Sequence, residues 1–329
     1  MIQSLSINNF KSIKSLNLDC ARINVLIGEP NTGKSNLLEA IGLLSWSGNF
    51  QFESDLKTFV RFEKTSNLFY DDEVDDALSI AADGIKVRLF QSQNYFNGAV
   101  TVDGKHAFGF RGDLTNLGVI NMVEAFAERL RQFKYYRFSD KVVFRSGPTD
   151  VLMPPSGANL VSLLATHRDY RSMTNEICSP YGLSIGIRPQ ENKMELVKNT
   201  EGVIISYPYS NVSETLRRLV FYLLAIKSNS DAVLAFEEPE AHAFPYYTKF
   251  LAEKIALNRN NNQYFVATHN PYLLLPLIEK ANDIKVYVTY YEDHQTKVKA
   301  LDDKALRRII SLEEDVFIDP SAFIRDAPK

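Results

Sequence analysis

The segment Gly28-Glu29-Pro30-Asn31-Thr32-Gly33-Lys34-Ser35 matches the pattern G-x-x-x-x-G-K-[ST] in full. Chance yields that pattern in about one chain in a hundred of this length, so it carries weight even alone. Its glycines, Gly28 and Gly33, let backbone approach phosphate oxygens where a side chain would clash. Successive N–H groups, those of Asn31, Thr32 and Gly33 among them, then form an anion nest. A helix starting near Gly33 adds about half a positive charge at its N-terminus. In this chemistry Lys34 reaches the β- and γ-phosphates of ATP, and the Ser35 hydroxyl ligates Mg²⁺.

A second group of reactive side chains ends the stretch Ala232-Val233-Leu234-Ala235-Phe236-Glu237-Glu238-Pro239-Glu240. Adjacent carboxylates repel unless a cation or a proton relieves them. Glu237 beside the magnesium, through water, and Glu238 polarising the attacking water satisfy that demand. An acidic helix start, where glutamate favours the helix dipole, is the plainer alternative. Further on, Tyr264-Phe265-Val266-Ala267-Thr268-His269-Asn270-Pro271 ends an apolar run on His269, which can hydrogen-bond a γ-phosphate and sense its loss. Lys34, Glu238 and His269 are thus the candidate catalytic residues, with Ser35 and Glu237 as metal ligands. His242 has no comparable position.

These residues need elements to hold them. The run Ile23-Asn24-Val25-Leu26-Ile27 reads as a strand buried on both faces of an α/β sheet. Leu37, Leu38, Ala40, Ile41, Leu43 and Leu44 follow at helical spacing. Before them, Leu5, Ile7 and Phe10 alternate with polar residues as in an edge strand. Residues 50–200 are less regular, with strand-like pieces at 85–89, 99–102, 106–110, 183–188 and 193–197. An amphipathic helix is expected over 121–133, and another helical stretch from Asn159. After residue 210, helices at 213–227 and 246–257 alternate with strands at 232–236, 264–267 and 284–288. One domain spans 1–329, its core formed by 1–50 and 200–329, with an inserted lobe over about 51–199.

Composition narrows the class. The chain has 329 residues, 45% hydrophobic and 23% charged, which is ordinary for a folded soluble protein. Cys20 and Cys178 form no metal spacing or disulfide framework, which suits a reducing cytoplasm. The start is not a signal peptide, and no run approaches the length of a membrane span. A net charge of −3 speaks against constitutive nucleic-acid binding. The one basic run is Arg129, Arg131, Lys134, Arg137, Lys141 and Arg145, interleaved with Phe133, Tyr135, Tyr136 and Phe138. It reads as a nucleic-acid-facing strip or as a helix end with solvated charges.

In order and residue type these motifs resemble the ABC-type ATPases of the SMC, RecF and OLD group, in particular stand-alone OLD-like AAA-type ATPases. Asn9-Phe10-Lys11-Ser12-Ile13 looks like the group's opening strand with its basic residue. The stretch 28–36, continuing into Leu-Leu-Glu-Ala-Ile, looks like its Walker A motif, and adds Lys11 and Asn36 to the cofactor-binding set. Phe236-Glu237-Glu238-Pro239-Glu240-Ala241-His242 looks like Walker B with the start of the D-loop, and Ala267-Thr268-His269-Asn270-Pro271 like the switch histidine. Weaker matches lie at Arg61-Phe62-Glu63, Leu68-Phe69-Tyr70-Asp71 and Ser156-Gly157-Ala158-Asn159-Leu160.

The resemblance implies a P-loop NTPase of ABC/SMC-head type, with a mixed central sheet, flanking helices and a large middle insertion. It implies an ATP-dependent homodimer in which a signature segment reaches the partner's γ-phosphate. The candidate is Ser213, Glu214 and Thr215, although Thr215 stands where glycine is common and Glu214 adds negative charge. Asn211 and Glu214 are also spaced for a capping box. No Q-loop residue is assigned, Gln91 and Gln93 being the nearest glutamines after a strand. Long heptads are absent, and the roughly sixty residues after His269 leave no room for a nuclease domain. Two functions follow: an ATP-driven dimerisation switch for a separate effector, as in phage defence, or a DNA-binding maintenance ATPase of RecF type.

Overall fold

The computed structural model describes residues 1–92, 95–112, 117–120, 123–140, 143–311 and 316–324. Gln93, Lys141 and Asn121, the first residue of the expected helix, lie outside them. Strands β1 (Ser4–Phe10) and β2 (Ile13–Asp19) form a hairpin, and β3 (Ile23–Gly28) leads through the glycine loop into α1 (Lys34–Asn49). Strands β4 (Leu78–Ala82), β5 (Ile85–Ser92), β6 (Tyr95–Val102), β7 (Lys105–Gly112) and β8 (Leu117–Ile120) follow. After α2 (Ala127–Arg131) and β9 (Phe133–Tyr136) come α3 (Leu160–Thr166), α4 (Arg168–Cys178), β10 (Ser184–Arg188), β11 (Lys193–Thr200) and β12 (Val203–Pro208). The remainder alternates: α5 (Glu214–Ser228), β13 (Val233–Glu237), α6 (Pro245–Ala256), β14 (Gln263–Ala267), α7 (Pro271–Lys280), β15 (Ile284–Glu292), β16 (Gln295–Ala300) and α8 (Asp303–Ile310).

The apolar runs make a six-stranded sheet of order β16-β15-β3-β14-β13-β9, parallel except for β16. Alternate side chains of each strand leave opposite faces. Leu26, Ala235, Phe265 and Tyr287 point into one core with α1. Val25, Leu234, Phe236, Val266 and Val288 point into the other, with α5, α6 and α7. The register sets Glu237 beside Ala267, Ala267 beside Leu26, and Gly28 beside Thr289. The carboxyl ends of β3, β14 and β13 therefore lie together.

Hydrogen bonding divides the chain differently from a core of 1–50 and 200–329. Strand β1 pairs with β4, so residues 4–19 belong to a seven-stranded antiparallel sheet, β2-β1-β4-β5-β6-β7-β8, built mostly from the middle of the chain. Conversely β9, from the expected lobe, is the edge of the central sheet beside β13. The helix expected over 121–133 shrinks to α2 because Phe133 already belongs to β9. Among the described residues no helix is long and apolar enough to cross a membrane.

Helix α1 is wedged between the two large sheets, and Trp46 fixes it there. Its ring is fully buried, meets Phe110 of β7 edge-on at 4.9 Å, and donates from Nε1 to the Ser54 carbonyl at 3.0 Å. Trp46→Ala is expected to lower stability by about 3–5 kcal/mol, the cost of emptying a buried aromatic site. Urea unfolding measures it, and a loss below about 1 kcal/mol would contradict this clamping.

Candidate functional site

The glycine loop is shaped by what packs behind it. Gly28 has φ +143°, and a Cβ there would lie 2.3 Å from the Thr289 carbonyl oxygen. Gly33 has φ +95°, and its Cβ would lie 2.1 Å from Thr296 Oγ1. The hairpin β15–β16 thus walls the loop and demands glycine at both positions. Thr32 Oγ1 binds the Glu29 carbonyl at 2.8 Å and lies 2.6 Å from Thr289 Oγ1. Gly33 caps α1 without a side chain, so none occupies the helix's first N–H groups. Lys34 Nζ donates to the carbonyls of Gly28 at 2.8 Å and Glu29 at 2.7 Å. Burial lowers the pKa of its ammonium, opposed by the nearby charges of Glu238 and Glu29.

Two other members of the expected cofactor set have protein partners. Asn36 Nδ2 donates to Ser12 Oγ at 2.7 Å, which ties α1 to the turn after β1. Lys11 forms an ion pair with Glu39 and donates to the Arg61 carbonyl at 2.6 Å. Burial lowers its pKa, with Glu39 opposing. Gln91 lies opposite Phe96 in the antiparallel sheet.

Glu237 ends β13 next to the loop. Arg61 Nη2 donates to its Oε1 at 2.7 Å, the Tyr135 hydroxyl donates to its Oε2 at 2.8 Å, and the nearby Ser35 hydroxyl also favours its ionised form. Burial pushes this carboxyl's pKa up, but the Arg61 charge and these hydrogen bonds win and hold it low. A hydroxyl and a carboxylate side by side are the oxygen donors that a hydrated Mg²⁺ takes, so Ser35 and Glu237 fit that ion. Glu238 follows with φ +42°, which turns its side chain to His269, whose Nδ1 lies 3.3 Å from Oε1. Glu240 is buried, accepts from the Thr268 hydroxyl, and has Oε2 without a partner among the described residues. Burial raises its pKa to about 6.

Arg61, Glu39 and Tyr135 belong to this site although the sequence names none of them as a site residue, Glu39 and Arg61 lying within segments of the family resemblance. Arg61 Nε also pairs with the fully buried Glu39, so one guanidinium joins α1 to the acidic strand end. A signal existed: Glu39 sits among Leu37, Leu38, Ala40 and Ile41, and a carboxylate on an apolar helix face needs a cation. Its distant partners were not legible.

The start of α5 is built differently from the expected box. Ser213 is the N-cap, accepting from Leu216 N at 3.4 Å, while Asn211 lies in the preceding turn. Glu214 instead pairs with Arg218 at 2.6 Å, one helical turn on, and that hydrogen bond lowers its pKa. Thr215 Oγ1 donates to the His242 carbonyl at 2.8 Å, tying this helix start to the turn after β13. Nor does the basic run form one exposed strip. Phe133, Tyr135 and Tyr136 are buried, Lys134 is buried against Asn49, and Arg129 and Arg145 pair with Asp103 and Glu53.

Solved structures share this architecture. The chain covers 93% of itself and 99% of an Smc head bound to the C-winged helix domain of ScpA, with TM-score 0.53 and 15% identity. A Pyrococcus furiosus Smc head with an extended coiled coil, bound to the C-terminal domain of ScpA, gives TM-score 0.53 at 13% identity, covering 95% of this chain and 99% of that one. The chain has the fold of the Smc head domains. Residues 1–107 match the family described as "AAA ATPase domain". Residues 158–275 match "AAA domain, putative AbiEii toxin, Type IV TA system". Local sequence similarity reaches the DNA replication and repair protein RecF of Clostridioides difficile, 36% over 69 residues, 21% of this chain and 18% of that protein. It also reaches an ATP/GTP phosphatase of Helicobacter pylori, 50% over 42 residues, 12% of this chain and 11% of that protein. The matched segments span less than a fifth of each of these relatives.

Two titrations follow. Glu237 has its folded pKa depressed, so its contribution is present above the ordinary carboxylate range and lost as pH falls through the folded value. In Arg61→Met that loss is expected to begin at higher pH, with about 1–3 kcal/mol less stability at pH 7; thermal melts from pH 3 to 7 read both. Glu240 has the opposite sign, its contribution being full below the unfolded value and lost as pH rises through about 6. Glu240→Gln should therefore gain on wild type as pH rises from 4.5 to 7, and an unchanged difference would show that this carboxyl does not titrate there.

Proposed function

We propose that the protein hydrolyses ATP with magnesium and uses the cycle as a dimerisation switch for a separate effector. The observation that carries this is the meeting of Lys34, Ser35, Glu237, Glu238 and His269 at the carboxyl ends of β3, β13 and β14. Parallel sheets bind ligands at that edge. In this reading the N–H groups of Gly28, Asn31, Thr32 and Gly33 line the phosphates, and Lys34 leaves the loop carbonyls for the β- and γ-oxygens. Ser35 and Glu237 hold magnesium, which when bound supplies positive charge at the phosphates. Glu238 takes the proton of the attacking water, and His269, beside it, contacts the γ-phosphate. Ser213 and Thr215, at the start of α5, complete the site in a partner copy.

The separate effector follows from the resemblance to stand-alone OLD-like ATPases and from the toxin–antitoxin description of the second matched family. A nuclease or other toxin in phage defence, acting in the cytoplasm, suits both. The RecF similarity favours DNA maintenance as the alternative. ATP-stimulated, salt-dependent binding to duplex DNA would support that alternative.

Lys34→Ala is expected to abolish ATP binding. Glu238→Gln should keep binding but slow phosphate release about 10²–10⁴-fold, as loss of a general base does. Light scattering should then show an ATP-stabilised dimer of Glu238→Gln, lost in the double variant with Ser213→Arg. An Glu238→Gln protein that stays monomeric with ATP and magnesium would rule the switch out.

A further inference from the structure

Away from the phosphate loop, β12 leaves a sheet edge open among the described residues. It is the last strand of the sheet β10-β11-β12, and every residue of Val203–Pro208 is exposed, with Val203 at 62% and Ile204 at 71%. Glu201 and Gly202 have φ +51° and +86°, a two-residue turn of the type that closes tight hairpins. Thr200 and Val203 then form the closing hydrogen-bonded pair, and bonded pairs alternate along the ladder. The N–H and C=O groups of Ile204 and Ser206 consequently point away from β11. Natural edges are normally blunted by charges, bulges or covering elements. Val-Ile-Ile-Ser-Tyr has no charge, and only Pro208 interrupts the edge, at its end.

A groove of about 810 Å³ runs beside this edge. Tyr207 belongs to both, Tyr181, Phe244 and Tyr246 contribute further aromatic surface, each half-exposed or more, and Ser213 and Thr215 at the start of α5 also line it. Lys198 is the single charged lining residue and has no ion pair among the described residues. A strand laid along β12 would set its inward side chains next to Tyr207, at cross-strand distance.

We propose that this edge and groove bind an extended segment of a partner protein as a fourth strand, with apolar or aromatic side chains on its inward face and an acidic residue for Lys198. The free backbone groups require a strand, the aromatic walls take alternate apolar side chains, and the lysine selects negative charge. A second copy meets this groove through Ser213 and Thr215 only in the nucleotide-bound dimer proposed above; without nucleotide, laid edge to edge along β12, it brings the uncharged Val-Ile-Ile-Ser-Tyr strand and not an acidic one. The proposal rests on the separate-effector reading only for what carries the segment.

The probe is a fluorescein-labelled peptide of about ten residues alternating Ile or Phe with Glu, tested by anisotropy on the full chain without nucleotide. Two control peptides replace Glu by Lys or methylate alternate backbone nitrogens. The acidic peptide is expected to bind wild type, and the controls to bind at least about tenfold more weakly. Ser206→Pro, which removes an outward N–H, and Lys198→Glu, at an exposed position, should each weaken the acidic peptide to a similar degree, whereas Ser206→Ala, which loses only the hydroxyl bond to Glu195, should not. No binding of the acidic peptide, or equal binding of the methylated one, would overturn the proposal. So would a nucleotide-free dimer that Ser206→Pro dissolves, which would give the edge to a second copy. Phosphate release in the same variants separates the outcomes: hydrolysis without peptide binding sinks this inference alone, and peptide binding without hydrolysis sinks the ATPase reading alone.

Discussion

A carboxylate in the interior organises this molecule. Glu39 lies on the buried face of α1 with no exposure, where an unpaired charge would cost several kcal/mol. Two cations from different parts of the chain answer it: Lys11, from the turn between β1 and β2, and Arg61, from the segment after α1. Arg61 continues to Glu237, whose other oxygen holds Tyr135 of β9. One ionic chain thus binds the antiparallel sheet, the helix that starts at the phosphate loop, and the acidic end of β13. The Arg61 side chain is 50% exposed, so this chain is dry at Glu39 and wet near Glu237. The wet end is the one that, in the proposed reading, would admit magnesium.

The same arrangement explains why the pKa of the Glu237 carboxyl is held low. Two acids and two bases balance, and the hydroxyls of Ser35 and Tyr135 add donors. Lys34 is likewise held by the loop's own carbonyls. Nucleotide and metal would exchange these contacts for new ones, so the net gain of binding is smaller than a count of final contacts suggests. Glu238 and His269 differ from this set. They follow the ends of β13 and β14, Glu238 about half exposed and His269 exposed, and touch each other rather than the ionic chain.

Local signals made half of this legible. The glycine pattern, the apolar run before it and the helical spacing after it are all contiguous, and β3, the loop and α1 follow them closely. The apolar runs ending in Glu237 and Ala267 were readable for the same reason. What failed depended on pairing across long distances. Strand β9 is four residues long and gains its identity from β13, a hundred residues later, so Phe133 read as the end of a helix. Lys134 and Arg129 looked alike in the basic run, yet one is buried and the other sits on the surface beside Asp103. At α5 the spacing of Asn211 and Glu214 suggested a box, but Arg218, one turn along the helix, draws Glu214 away. Arg61 stood in plain view, and only the location of Glu39 gives it meaning.

The central sheet also orders events in time. Strand β3 carries the phosphate loop, yet both its neighbours, β14 and β15, are made more than two hundred residues later. The loop's rear wall, Thr289 and Thr296, arrives last. A ribosome that has released only the first half of the chain presents the glycine sequence as a flexible segment with no sheet to mount it. Such distant pairing is the kind that slows a chain's search for its native state, and it leaves β3, an apolar segment, exposed to chaperones while synthesis continues.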